Sequence, residues 1–311
     1  MLSICAVVVA ILLSLLVFLV CMIVDTVKDG KDNVNQNNGQ QSNHDTVDDI
    51  VYVSMTQQSS SIHSGSLIVV SEKLNYQYQY PSTVLKDFKD SDLHIMQNGS
   101  RPYTYSYLKE NERMEKNAAY AVDKMLTDFY LKCEDSSLIF MDAYRTQEEQ
   151  DSKLTPVSFS EHETGYVFTL HTYNSSHQKT NLTANANYNW IYENCKEYGI
   201  IRRYPESKST ITGVSGYEYC FRYVGVAHAT YMYEKSLCLE EYVELLKTTY
   251  TVNNHLKIAG ADGKNYAVYY VPVATTELTQ LQVPKNYEYT ISGDNIGGFI
   301  VTVCLDAPVS A

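Results

Sequence analysis

The run YVFTLHTY occupies residues 166–173 and directly follows the polar segment SEHETG, residues 160–165. Aromatic and β-branched residues dominate the run, which predicts a β-strand. Further strands are predicted for LIFMDAY, residues 138–144, and for FRYVGV, residues 221–226. The strands are short and are separated by helical segments, so the sequence predicts an α+β domain in which helices flank a small antiparallel sheet.

Helical segments lie around these strands. Residues 112–132 place six apolar residues on one helical face: Ala118, Ala119, Val122, Met125, Leu126 and Phe129. Residues 187–198 form a second predicted helix, which Gly199 can end because glycine readily adopts the left-handed conformation. The amphipathic run LEEYVELLK, residues 239–247, predicts a short helix that closes the domain. Upstream, LIVV at residues 67–70 is typical of a strand.

The two ends of the chain differ in composition from the middle. Residues 3–24 are an uncharged apolar run of the ~20 residues that a bilayer-spanning helix needs, without the basic segment or small-residue cleavage site of a signal peptide. We therefore expect a transmembrane anchor at residues 1–24, followed by a flexible polar linker at residues 25–66. The domain itself is predicted for residues 67–250. Residues 251–311 contain strand-like runs and Asp-Gly turns, which predicts a small β-rich C-terminal module.

Composition excludes one class of partner. The formal net charge is −12 and no cluster of Lys and Arg stands out, so nucleic acid is excluded as a partner. Tyrosine is abundant, with 28 copies against 8 Phe and 1 Trp; it suits exposed sheet faces, and stacking on sugars is the alternative. An odd number of cysteines lies outside the anchor, without a CxxC motif, so we expect buried small side chains, with one disulfide as an open alternative.

Five sequence blocks occur in order between residues 143 and 229. They are AYRTQEEQ at 143–150, SEHETG at 160–165, WIYENCKEYGIIRRYP at 190–205, TG at 212–213 and FRYVGVAHA at 221–229. In this order they resemble the VanY-like branch of the D-alanyl-D-alanine carboxypeptidases, zinc enzymes that remove the terminal D-alanine from peptidoglycan stem peptides. The resemblance covers residues 138–247 and implies the fold of that family and a location outside the cell.

The resemblance also implies where a zinc site would lie. In the resembled family, zinc is bound by the His of the S-x-H block, an Asp seven residues later, and a His immediately before the FRYVG-like strand; the Glu of that last block is the general base. In this chain, these positions hold His162, Thr169, Cys220 and Tyr217. A neutral Thr hydroxyl lacks the anionic oxygen that zinc takes from a carboxylate, and a Tyr that titrates near ~10 is a poor base. A Cys thiolate is a good ligand, so His162 and Cys220 leave a weak two-ligand site.

Two nearby residues are alternatives for the lost groups. His171 shares a strand face with Thr169 but is displaced along the strand by about 6.6 Å. Glu218 lies one residue beyond Tyr217, and a displacement of one residue is expected to place it on the opposite face. We therefore expect no zinc cofactor and no catalytic residue, with His162 as a remnant metal ligand.

Polar residues of the cleft are predicted to bind substrate. Arg145 matches the family's arginine that binds the carboxylate end of the stem peptide, and a guanidinium suits bidentate carboxylate recognition. Gln150 and Ser160 match polar positions beside it. An internal salt bridge is the alternative role for Arg145. His228 stands in a segment where the family often has His, and we expect it to be structural.

Three functional hypotheses follow. The first is a membrane-anchored, cell-surface pseudopeptidase of a Gram-positive bacterium that binds peptidoglycan stem peptides or other wall proteins. The second is an active zinc D,D-carboxypeptidase with rearranged ligands. In the third, the cleft is empty and the C-terminal β module performs the function. Zinc content and D-alanine release distinguish the first two hypotheses.

Overall fold

The computed structural model describes residues 49–71, 85–87, 104–107, 112–146, 148–149, 161–174, 176, 178–183 and 187–309. The described residues from Ile50 onward belong to one compact unit. Within these ranges, no helix is long and apolar enough to cross a membrane. The predicted anchor at residues 1–24 and the predicted linker up to residue 48 lie outside the described residues.

Strands and helices are mixed along the chain, which confirms the predicted α+β class. The strands with defined bounds are β1 Tyr52–Gln58, β2 Leu85–Asp87, β3 Ser106–Tyr107, β4 Arg113–Glu115, β5 Leu138–Met141, β6 Val167–Tyr173, β7 Lys179–Asn181, β8 Ile200–Arg202, β9 Cys220–Tyr223, β10 Leu256–Ala259, β11 Asn265–Pro272, β12 Leu278–Pro284, β13 Tyr287–Gly293 and β14 Gly298–Pro308. The α-helices with defined bounds are α1 Lys116–Cys133, α2 Asn189–Asn194, α3 Ser209–Thr212, α4 Val226–Lys235 and α5 Leu239–Thr249.

Strand β6 lies in the middle of the central sheet. The strand order is β3-β5-β6-β9-β8, and β7 pairs with the end of β6. Neighbouring strands are antiparallel except β3 and β5, which are parallel. The predicted antiparallel sheet is therefore correct at its centre and wrong at this edge, where α1 carries the chain back so that β5 runs in the same direction as β3.

Strand β6 presents different side chains to the two faces of the sheet. Phe168 and Leu170 belong to the apolar core that includes α1, together with Phe221 of β9. Cys220 belongs to a separate cluster on the other face, and Thr169 lies directly opposite Cys220 in the register of β6 and β9. Because side chains alternate along a strand, the sheet separates the core under α1 from the face that carries the candidate site.

Helix α1 begins later than predicted. Its six predicted apolar residues are all buried, but residues 113–115 form β4, which pairs with β2. The Glu115 carboxylate accepts hydrogen bonds from two N–H groups of the first turn, at 2.9 and 3.0 Å, and so caps the helix at Lys116. Apolar spacing predicts the buried face of a helix, whereas this cap depends on how Glu115 is placed by β4.

The predicted helix over residues 187–198 is confirmed in two parts. Helix α2 continues as a 3-10 turn at Cys195–Tyr198, and Gly199 follows with a φ angle of 72°. A Cβ atom at Gly199 would lie 2.8 Å from backbone atoms of Gly225 and Val226. Both the backbone angle and the close approach of the next loop therefore require glycine at this position.

The C-terminal strands share a core with the helices. Strands β10, β11, β14 and β13 form an antiparallel sheet in that order. Leu256, Val268 and Ile300 of this sheet lie in one apolar cluster with Tyr242 and Leu246 of α5. Residues 251–309 are β-rich, as predicted, but they belong to the same compact unit as the preceding helices, and β12 pairs with β1 outside this sheet.

Part of the predicted flexible linker at residues 25–66 is a strand. Strand β1 pairs antiparallel with β12 over its full length, from Tyr52 opposite Pro284 to Gln58 opposite Leu278. Its polar side chains do not prevent pairing, because β12 supplies the partners for the backbone hydrogen bonds. The linker prediction is therefore wrong for its last part.

The LIVV segment is buried, but it does not form the predicted strand. The Val69 N–H donates to the Asp294 carbonyl at 3.0 Å, and the Val69 carbonyl accepts from the Asn295 side chain at 2.9 Å. The Arg222 guanidinium donates to the Ile68 carbonyl at 2.7 Å. A loop and two side chains thus take the place of a neighbouring strand, so the apolar pattern predicts the burial of this segment but not its partners.

His228 links the helices to the C-terminal sheet and is structural, as predicted. Its Nδ1 atom hydrogen-bonds to the Tyr242 hydroxyl of α5 at 2.7 Å, and its Nε2 atom to the Thr302 hydroxyl of β14 at 2.9 Å. The side chain is buried, and burial lowers the pKa of His228 to about 3. The imidazole is therefore neutral in the folded chain.

Acidification is expected to destabilise the fold through His228. The pKa of this group is about 3 in the folded chain and about 6.5 when unfolded, so below about pH 6.5 the unfolded state binds more protons. From about pH 6.5 to about pH 5, His228 alone should lower the free energy of unfolding by about 1.5 kcal/mol. Urea unfolding at both pH values measures the change. Over the same pH range, the free energy of unfolding of the His228→Gln variant should fall by about 1.5 kcal/mol less. An equal fall in both proteins would show that His228 is not the group responsible.

Candidate functional site

The predicted site residues converge on the face of the central sheet opposite α1. His162 lies in the short 3-10 turn Glu161–Thr164 that precedes β6, and Thr169 and Cys220 face each other on β6 and β9. Tyr217 precedes β9, and its hydroxyl lies 3.3 Å from the Nε2 atom of His162. The structure thus brings together the remnant ligand and the three changed positions.

The His162 side chain has hydrogen-bond partners at both ring nitrogens. Its Nδ1 atom is 3.1 Å from the Ala143 carbonyl, which only accepts, so Nδ1 carries the hydrogen. The Nε2 lone pair then accepts from the Tyr217 hydroxyl. Burial, followed by the positive charge of Arg145, lowers the pKa of His162 to about 4. His162 is therefore a neutral imidazole whose free lone pair is used by Tyr217.

Tyr217 does not replace a general base. Burial raises its pKa above the ordinary range of tyrosine, and the neighbouring Cys220 raises it further. The hydroxyl therefore stays protonated and donates. Glu218, the alternative base, is about half exposed. Its carboxylate accepts hydrogen bonds from Arg202 and from the Glu206 N–H, on the side of the chain opposite to Tyr217. This confirms that Glu218 points away from the cleft.

Thr169 is held by two neighbours. Its Oγ1 atom lies 3.1 Å from the Met141 carbonyl, to which it donates, and 3.1 Å from the Nε2 atom of His171, from which it then accepts. The predicted common face of Thr169 and His171 is confirmed. The Thr169 hydroxyl therefore donates one hydrogen bond and accepts one within the fold.

Cys220 is a buried thiol. Its side chain is fully buried, and burial raises its pKa well above the ordinary value, with a further increase from the Glu161 carboxylate. The thiolate is the form that binds zinc, so zinc binding here would have to displace the proton of a buried thiol. The described cysteines are all free, so no disulfide is formed among them.

The residues at the three ligand positions do not fit zinc. One is a histidine whose lone pair accepts a hydrogen bond, one is a neutral hydroxyl, and one is a protonated thiol. Among the described residues, no three His, Cys, Asp or Glu side chains are grouped in a way that could hold a metal ion. A catalytic zinc site needs three such ligands and a water.

Arg145 lies at the edge of the cleft and makes an ion pair. Its guanidinium is 2.9 Å from the Asp142 carboxylate, and the two side chains are 12% and 21% exposed. Its backbone N–H donates to the His162 carbonyl at 3.2 Å. The internal salt bridge named as an alternative is thus present. Gln150 and Ser160, the other predicted binding residues, lie outside the described residues.

Asp142 is a residue of the cleft that the sequence did not single out. It has a φ angle of 52°, which ends β5 at Met141 rather than at residue 144 as predicted. The turn places its carboxylate beside Arg145. Aspartate tolerates the left-handed conformation better than most residues, and the position directly before the AYR block was the available signal.

A buried ionic network lies beneath the cleft. The Glu161 carboxylate accepts from Arg203 at 2.8 and 2.9 Å and lies 2.8 Å from Arg222. Arg203 also binds the Glu240 carboxylate, at 2.5 and 3.0 Å. Burial alone would raise the pKa of Glu161, but the two arginines lower it, so it is ionised. The network fixes the turn that carries His162, and no sequence pattern indicated these ion pairs.

Comparison with known proteins agrees with this fold. The family described as VanY, D-alanyl-D-alanine carboxypeptidase, matches residues 154–226. A D-alanyl-D-alanine carboxypeptidase of Enterococcus faecium is 31% identical over 250 residues, which cover 78% of this chain and 76% of the relative. One from Enterococcus faecalis (strain ATCC 700802 / V583) is 49% identical over 65 residues, 21% of this chain and 24% of the relative.

A solved structure shares the overall architecture. The vancomycin resistance D,D-dipeptidase VanXYg, crystallised in complex with a D-Ala-D-Ala phosphinate analog, superposes with a TM-score of 0.67. The match has 23% sequence identity and covers 82% of this chain and 99% of that one. The two chains therefore share an overall fold. The match to the Enterococcus faecium enzyme is 31% identical and covers about three quarters of both chains. The chain therefore belongs to the VanY-like D-alanyl-D-alanine carboxypeptidase family.

Proposed function

We propose that this protein is a membrane-anchored, cell-surface pseudopeptidase, which binds D-alanyl-D-alanine-ended stem peptides of peptidoglycan and does not hydrolyse them. The observation that supports this most directly is the hydrogen bond from the Tyr217 hydroxyl to the Nε2 atom of His162. It uses the lone pair of the remaining ligand and is made by the residue at the position of the general base.

Hydrolysis needs an activated water and a group that accepts its proton. The Tyr217 hydroxyl is protonated, since burial raises its pKa. The neutral imidazole of His162 has no lone pair left, because Nδ1 donates to the Ala143 carbonyl and Nε2 accepts from Tyr217. Among the described residues, neither Tyr217 nor His162 is therefore free to accept the proton of an attacking water, which supports binding without hydrolysis.

Binding is proposed to use Arg145. A guanidinium at the edge of the cleft can bind the terminal carboxylate of a peptide, and its ion pair with Asp142 holds it in position beside His162. The names of the enterococcal relatives indicate D-alanyl-D-alanine as the group recognised in the family. We place the domain on the outer face of the membrane, because stem peptides lie there and residues 3–24 have the length and composition of a spanning helix.

Calorimetry on the purified full-length chain tests the proposal. A pentapeptide that ends in D-Ala-D-Ala should bind, and the same peptide with an amidated C-terminus should bind more weakly. The protein should hold no stoichiometric zinc by plasma mass spectrometry and release no D-alanine above a heat-denatured control. One tightly bound zinc per chain with D-alanine release would instead establish the active carboxypeptidase with rearranged ligands.

The Arg145→Ala variant should weaken pentapeptide binding by about 2 kcal/mol, or roughly thirtyfold in Kd. The matched control is Arg202→Ala, an exposed arginine paired with Glu218 away from the cleft, which should leave Kd unchanged. If Arg145 serves only as an internal salt bridge, its removal will lower the melting temperature with no loss of affinity specific to the free-acid peptide.

A further inference from the structure

A second cavity lies apart from the cleft. It has a volume of about 400 Å³ and is formed by the beginnings of α1 and α4, the end of β9 and the C-terminal sheet. Tyr166 and Tyr223 line it, and both pack with the core on the sheet face opposite to Thr169 and Cys220. None of the cleft residues His162, Thr169, Tyr217 and Cys220 contributes to its wall.

The wall combines aromatic rings with neutral polar groups. The rings of Tyr166 and Tyr223 are nearly parallel, with an interplanar angle of 17° and centroids 6.4 Å apart. Asn117 and Thr290 lie at the exposed rim, and Ile291 adds an apolar patch. Flat rings next to hydroxyl and amide groups suit a ligand with one apolar face and several hydroxyls.

One carboxylate, that of Glu115, forms part of the cavity wall. Glu115 is 8% exposed, and its Oε2 atom is fixed by the N–H groups of Asn117 and Ala118. His228, which also lines the cavity, is neutral and bonded to Tyr242 and Thr302. The described lining contains no Lys or Arg, so phosphate and carboxylate ligands have no cation to pair with. A carboxylate forms strong hydrogen bonds with hydroxyl groups of a neutral ligand.

We propose that this cavity binds a neutral carbohydrate of one or two sugar rings, independently of the stem-peptide cleft. The volume lies within the roughly 300–1,000 Å³ of small-molecule sites. In this arrangement a sugar ring lies against the tyrosines, its hydroxyls bond to Glu115 and to the rim, and Ile291 accommodates an acetyl methyl group. The inference goes beyond the proposed function and does not require it.

Calorimetric titration of the full-length protein with chitobiose, in a detergent without a sugar head group where detergent is needed, tests this. The wild type should bind. Asn117→Trp on α1 and Thr290→Trp on β13 each place an indole at the rim, and each should raise Kd at least about tenfold, which is a loss of ~1.4 kcal/mol in binding free energy. Asn253→Trp is the matched control: this exposed residue lies in the turn after α5, outside the cavity, and Kd should not change.

The outcomes separate this inference from the proposed function. Arg145→Ala should bind chitobiose like the wild type, because Arg145 belongs to the cleft. The inference would be overturned if the wild type did not bind chitobiose, or if both rim variants bound it as tightly as the wild type. Free lysine serves as a cationic probe, and binding of lysine that both rim variants abolish would identify an amine site at Glu115 instead, which also overturns it.

Discussion

The triple variant Thr169→Asp, Cys220→His, Tyr217→Glu is expected to bind one zinc ion per chain. Its Kd should be at or below about 1 µM, which corresponds to a binding free energy of ~8 kcal/mol. Thr169 and Cys220 already face each other across β6 and β9, and the third change releases the Nε2 atom of His162 from the Tyr217 hydroxyl. The three ligands of a catalytic zinc site would then share one cleft. Zinc per chain, measured after dialysis, gives the result.

Two controls isolate the cause. Thr169→Asn in place of Thr169→Asp keeps the shape but not the negative charge, and should bind zinc far more weakly. Each single change should have little effect, since one or two ligands hold the metal poorly. Without zinc, the triple variant should be less stable than the wild type, because it buries an uncompensated carboxylate. A folded triple variant, shown by circular dichroism, that takes up no zinc would mean that the cleft has diverged in its backbone as well.

The Arg203→Met variant is expected to lose about 3–5 kcal/mol of stability. Arg203 is fully buried and pairs with both Glu161 and Glu240. Its removal leaves Glu161 with Arg222 as its remaining partner and leaves Glu240 without one in the network. A buried charge that loses its partner retains the cost of its desolvation, which is why this effect is large. Urea unfolding measures the difference in free energy.

The neighbouring residue provides the comparison. Arg202 makes an exposed ion pair with Glu218 at 3.3 Å, and Arg202→Met should cost less than about 1 kcal/mol. The two arginines are adjacent in sequence but lie on opposite sides of the chain at β8. Similar losses in both variants would show that burial does not determine the energetic role of Arg203.

The sequence predicts those features that depend on short spacing. The buried face of α1, the end of the second helix at Gly199 and the common face of Thr169 and His171 all follow from residues within a few positions of each other. The LIVV segment is different. Its burial is visible in its composition, but its hydrogen-bond partners come from Asp294, Asn295 and Arg222, which are distant in sequence.

In the candidate site, too, the sequence predicts which residues are present but not the contacts they make. His162, Thr169, Tyr217 and Cys220 are identified by their place in ordered blocks, and the structure brings them together. Their protonation is a matter of environment: the neutrality of His162 and the raised pKa of Cys220 depend on burial and on neighbouring charges. The partnership of Arg145 with Asp142 also depends on a left-handed turn that the order of residues does not specify.

The pairing of β1 with β12 sets an order of events during synthesis. The ribosome releases residues 52–58 long before residues 278–284, their partners in the register. Contacts between segments so far apart form late in folding, because closing a long loop costs entropy first. A nascent chain that stops short of residue 278 therefore presents an unpaired strand near its beginning, and such an edge can pair with other chains. A premature stop codon just before residue 278 would thus expose its defect at residues 52–58, more than 200 residues from the point of truncation.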